Sequence, residues 1–171
     1  AYADGVVALP RLRALTGRVR EELGSGRGVA RVVGLDPSLP DSLLRLVHLA
    51  VACGLGRVLE TYGRLYDVVD RGADHRSERV PVSMTRETTG LHTDSSARSV
   101  EPDHVGLLCL WPAASGGASR VASALHVHEH LRREAPDALR RLYRDFLRDL
   151  VTPGAERTRE NLLANRFPVF R

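Results

Sequence analysis

Lysine is absent, and all 25 basic residues are arginine. The formal net charge is only +4. Arginines alternate with acids, as in Arg140-Arg141-Leu142-Tyr143-Arg144-Asp145. Such interleaving makes a solvated surface rather than a phosphate-binding stripe. Aromatic residues are scarce at 5%, too few for a base-stacking platform. The expectation is therefore no nucleic-acid partner. An arginine-only, Ala/Leu/Val-heavy composition points instead to a GC-rich genome.

Cysteine is equally sparse. Cys53 and Cys109 lie in apolar runs, and two thiols make no disulfide framework. A reduced, cytoplasmic setting is expected. The first residues lack the basic-then-apolar order of a secretory signal. The longest apolar region, residues 43–59, is broken by Arg45, His48 and Arg57, so no membrane span is expected. There is no internal repeat. At 171 residues and 43% hydrophobic, the chain suits a single domain with a core.

Apolar spacing predicts helices over residues 9–23 and 42–53. A third, capped by Ser123, should run to about residue 133. A fourth should open at Pro136 and Asp137 and carry the apolar stripe Leu139, Leu142, Tyr143, Phe146, Leu147 and Leu150. Strands are expected over residues 29–35, 58–69, 80–85 and 105–111. Another is expected to begin within 165–171, with no partner in this sequence. Pro112 to Gly117 reads as a hairpin turn.

The chemistry concentrates in Thr88-Thr89-Gly90-Leu91-His92-Thr93-Asp94. In an extended strand His92 and Asp94 share a face, so both can grip one metal ion. They would be two members of a two-His-one-carboxylate facial triad, which leaves positions on Fe(II) open for a co-substrate and oxygen. His126, His128 and His130 form a second cluster, and a pair four residues apart can hold zinc. No His-Glu-x-x-His order and no further ligand accompany them, so a solvated first helical turn is expected. His48, within an apolar helix, should be a satisfied boundary residue.

The stretch from about Met84 to Phe146 resembles the taurine dioxygenase/clavaminate synthase-like superfamily of Fe(II)/2-oxoglutarate-dependent oxygenases. The likeness is strongest at Gly90-Leu91-His92-Thr93-Asp94 and at Ser115-Gly116-Gly117-Ala118-Ser119. It implies an α+β, β-rich fold: an incomplete double-stranded β-helix (jelly roll) with flanking helices, all 171 residues forming its N-terminal part. It implies iron on His92 and Asp94, and 2-oxoglutarate with a carboxylate on Ser119. Thr89, Ser95, Ser96 and Arg98 would line the substrate pocket. The reaction implied is O2-dependent oxidation of an unactivated C–H bond. The GC-rich composition fits a bacterial biosynthetic enzyme, and the expected substrate is a small polar molecule such as an amino acid or a natural-product intermediate.

The family also carries a distal His and an Arg that this sequence does not show. The expectation is that further residues, or a second polypeptide, supply them. A second reading follows: a catalytically incomplete interaction subunit that a partner chain completes.

Overall fold

The computed structural model describes residues 9–60, 63–72, 80–94, 101–148, 156 and 158–171. The chain forms two compact units, Ala1–Asp67 with His104–Ser119, and Val68–Asp103 with Arg120–Arg171.

In the first unit, α1 (Pro10–Gly24) packs on α2 (Asp41–Leu55). Proline at the first position of α1 suits a site whose N–H would have no helical partner. The helices meet at Thr16, which is buried. Its hydroxyl donates back to the Leu12 carbonyl at 3.0 Å, with that of Arg13 at 3.2 Å. Opposite it stands Gly54, where a Cβ would come within 2.7 Å of Thr16 Cγ2. Arg20 crosses the same junction and donates to the Gly54 carbonyl at 2.6 Å. That carbonyl belongs to the last turn of α2, where main-chain acceptors lack helical partners and a cation is favoured.

Residues 105–111 lie in the same unit. Leu107 and Trp111 are 77% and 78% exposed, Cys109 is exposed, and Leu108 and Leu110 are half-buried. The alternation has the period of two expected of extended backbone. His48 on α2 packs against this run: its ring is hydrogen-bonded to the Gly106 backbone, and a Cβ at Gly106 would lie 3.2 Å from His48 Cε1. Burial holds the His48 pKa below its ordinary value, as expected for a boundary histidine. The following turn uses consecutive left-handed glycines, Gly116 at φ 76° and Gly117 at φ 72°, a conformation costly for other residues.

In the second unit, α3 (Ala124–Glu134) and α4 (Pro136–Leu142) form a helical pair. Ser123 caps α3, its side chain accepting from the His126 N–H at 3.2 Å. This matches the expected cap. The fourth helix departs from expectation. Asp137 lies in the first turn of α4, paired with Arg140, and Ala135 is the N-cap. The helix stops at Leu142, although the apolar stripe runs on to Leu150. Phe146–Leu147 instead forms β1, antiparallel to β2 (Arg166–Phe167). The Leu142 carbonyl accepts from the Val169 and Phe170 N–H groups at 2.9 and 3.2 Å. A segment distant in sequence thus takes the acceptor that would have continued the helix. The terminal strand, expected to lack a partner, pairs with β1. A short helix, α5 (Arg159–Ala164), precedes it, capped by Thr158.

Among the described residues this two-residue ladder is the whole of the sheet. Residues 29–35 and 105–111 enter no ladder, and Val82–Met84 is a 3-10 turn rather than part of a strand. The only buried hydrophobic residues among those described are Leu44 and Leu139. No described helix is long and apolar enough to cross a membrane.

Candidate functional site

The approach to the His-x-Asp segment is tied down in three places. Val69 N–H donates to the Ser83 carbonyl at 3.2 Å, and Arg71 N–H to that of Met84 at 2.9 Å. Arg86 donates to Asp70, whose other oxygen accepts from the Gly72 N–H at 2.8 Å. The Arg86 guanidinium holds the Asp70 carboxyl below the usual range, with the Gly72 N–H adding to the effect.

The pair itself sits on irregular backbone that enters a turn at Asp94, rather than on a strand. His92 Nε2 and Asp94 Oδ1 are 3.0 Å apart, so the turn achieves the convergence expected of strand alternation. Nδ1 lies 2.8 Å from the Gly90 carbonyl and 3.5 Å from Thr89 Oγ1. A carbonyl only accepts, so Nδ1 carries a proton and donates it to Gly90. Nε2 then faces a carboxylate, and that arrangement is favourable only with a proton or a cation between them. Both side chains are about half exposed, which leaves the gap open to solvent ions.

The Gly90 carbonyl, foremost, and then Asp94 raise the His92 pKa, while partial burial opposes them. The charged form is favoured by folding, so this stabilisation is full below the ordinary histidine value of about 6.5. It is lost as pH rises through the raised value. In metal-free protein the His92 ring should titrate above about 6.5 by NMR. Asp94→Asn should lower the midpoint and leave the part of the shift that comes from Gly90, its largest single cause. A midpoint at or below the ordinary value would contradict this geometry.

The donor set fits a metal ion. Two donors about 2.1 Å from one ion and at right angles stand about 3.0 Å apart, the spacing of Nε2 and Oδ1. Imidazole with carboxylate suits a divalent first-row metal. A ligating histidine commonly donates its other N–H to a backbone carbonyl, as His92 does to Gly90. Among the described residues no group of three His, Cys, Asp or Glu converges on one point.

The remaining expected residues stand as follows. Thr89 is beside His92, with its hydroxyl toward the ring. Ser119 is exposed and belongs to the first unit. Ser95, Ser96 and Arg98 lie outside the described residues. His126 and His130 are exposed. His128 is not the solvated residue expected: it is half-buried, with Nε2 2.6 Å from the Tyr143 hydroxyl and its ring edge-on to Phe170 at 5.1 Å. The Gly90 carbonyl and the Asp70–Arg86 tie were not anticipated. A backbone acceptor has no signature in side-chain pattern, and the tie spans 16 positions.

The profile of the taurine catabolism dioxygenase TauD, TfdA family matches residues 3–168. This chain belongs to that family. Two curated proteins are similar to this chain. FR-33289 synthase of Streptomyces rubellomurinus (strain ATCC 31215) is 31% identical over 138 residues, covering 78% of this chain and 39% of the synthase. Uridine-5'-phosphate dioxygenase of a Streptomyces species is 37% identical over 89 residues, covering 50% of this chain and 31% of that enzyme. The chain therefore spans well under half the length of either relative. No solved structure matches it. For a member of the TauD/TfdA family, the His92–Asp94 pair is the natural place to seek a metal.

Proposed function

We propose that the protein is an Fe(II)/2-oxoglutarate-dependent dioxygenase acting on a small polar molecule, in a cytoplasmic, biosynthetic setting. The observation that carries this reading is the 3.0 Å approach of His92 Nε2 to Asp94 Oδ1 in a chain of the TauD/TfdA family. His92 and Asp94 would hold the iron. Iron with 2-oxoglutarate supplies the oxidation of an unactivated C–H bond, which amino-acid side chains cannot perform. The protein's part is orientation. Asp94 offsets part of the ion's charge, and the Gly90 carbonyl keeps the His92 ring from turning. Ser119 would donate a hydrogen bond to a carboxylate of 2-oxoglutarate. Thr89, Ser95, Ser96 and Arg98 would border the substrate, Arg98 meeting an anionic group. The named substrate of one relative, uridine 5'-phosphate, is likewise small and polar.

The fold proposed with this function is the jelly roll of the family resemblance, of which these residues form a part. The third iron ligand and the arginine that anchors 2-oxoglutarate are to be sought outside these 171 residues, in the same polypeptide or in a partner. The exposed apolar side of residues 105–111 supports a reading in which more polypeptide covers this region.

The test is 2-oxoglutarate turnover by the full-length protein, with and without Fe(II). The expected result is iron-dependent, O2-dependent formation of succinate. If a partner completes the site, turnover appears only in the co-purified complex. A full-length protein, with any co-purifying partner, that binds neither Fe(II) nor 2-oxoglutarate would sink the proposal.

A further inference from the structure

Thr89 was expected to touch substrate. Its hydroxyl also lies 3.5 Å from His92 Nδ1, and the Gly90 carbonyl lies 2.8 Å from the same nitrogen. Two oxygens therefore crowd the same ring nitrogen, and Nε2 faces Asp94. An imidazole can present either nitrogen to a metal, and the hydrogen bond made by the other decides which. The Gly90 carbonyl is the shorter and stronger acceptor. The Thr89 hydroxyl, farther off, limits the ring's swing and shares the proton in a three-centre contact.

We infer that Thr89 is a positioning residue for the iron ligand: with the Gly90 carbonyl it holds the Nδ1 proton of His92 and so reserves Nε2 for metal. This rests on the functional reading above. It assigns Thr89 a role toward the ligand, where the family resemblance implied only the pocket wall. Thr89 is exposed, so replacing it removes no core packing. Valine keeps the shape and deletes the oxygen. Serine restores the oxygen without the methyl group.

The test uses the full-length protein loaded with Zn(II), a diamagnetic stand-in, and read by nitrogen-resolved NMR of the His92 ring. Wild type is expected to show metal on Nε2 and a slowly exchanging proton on Nδ1. In Thr89→Val that proton should exchange faster. Fe(II) affinity, titrated without oxygen, should fall about tenfold, the lower end of the range for an outer support of a metal ligand. Thr89→Ser should recover both properties. Metal on Nδ1 in wild type, or a valine variant with unchanged exchange and affinity, overturns the inference while the iron site itself stands. A His92→Ala variant that binds Fe(II) as tightly as wild type is a different failure. It removes the functional reading, and the positioning role with it.

Discussion

Replacing Asp94 with alanine is expected to abolish iron-dependent succinate formation by the full-length protein. The variant loses the proposed metal ligand, whose Oδ1 stands 3.0 Å from His92 Nε2, not an outer support. Losing an outer support costs roughly 10- to 100-fold in metal affinity, so loss of a direct ligand should exceed about 100-fold. The cause is electrostatic as well as geometric. The carboxylate is the one anionic group in the described set facing Nε2, and without it a dication meets only a neutral ring. Asp94 is half exposed, so its removal creates no cavity and the fold should persist. The informative comparison is therefore Fe(II) binding against far-UV circular dichroism. A folded Asp94→Ala variant that keeps iron and activity would remove the site from this part of the chain.

The second large effect is on stability. At Gly54 an added methyl group would meet Thr16 Cγ2 at 2.7 Å and its Oγ1 at 3.2 Å. Thr16 cannot easily yield. It is buried, its β-branched side chain is stiff at χ1, and its hydroxyl is engaged with the Leu12 carbonyl. The helices must separate instead, which also strains the Arg20 bond to the Gly54 carbonyl. Overpacking of this kind costs about 1–3 kcal/mol. Alanine recovers up to about 1 kcal/mol through its better helix propensity, so Gly54→Ala should lose about 1 kcal/mol net. Gly54→Val, bulkier and a poorer helix former, should lose about 3 kcal/mol. Urea unfolding of the full-length protein measures both. Truncating the opposing residue should relieve the clash, so Thr16→Ala with Gly54→Ala should be more stable than the sum of the single changes. A Gly54→Ala variant more stable than wild type would mean that the helices do not meet there.

The local signals in the sequence were legible. Apolar spacing placed α1, and the Ser123 cap placed α3, to within a residue or so, because both signals are settled by near neighbours. The approach of His92 to Asp94 was legible from type and spacing, although the irregular backbone that carries them was not. What was hidden is whatever depends on distant residues. The stripe from Leu139 to Leu150 reads as one helix. The chain breaks it because Phe146–Leu147 pairs with Arg166–Phe167, and the Leu142 carbonyl takes its hydrogen bonds from residues 169 and 170. His128 was invisible for the same reason. Its environment is made by Tyr143 and Phe170, 15 and 42 positions on. The valine- and leucine-rich runs read as strands, yet a ladder needs a partner. Among the described residues, 29–35 and 105–111 have none in a sheet.

Trp111 is the chain's single tryptophan, and its indole stands on the open side of residues 105–111. It is thus a native fluorophore bathed in solvent. Any polypeptide that settles over that side will alter its emission colour and shield it from a dissolved quencher, so assembly can be followed optically without adding a label.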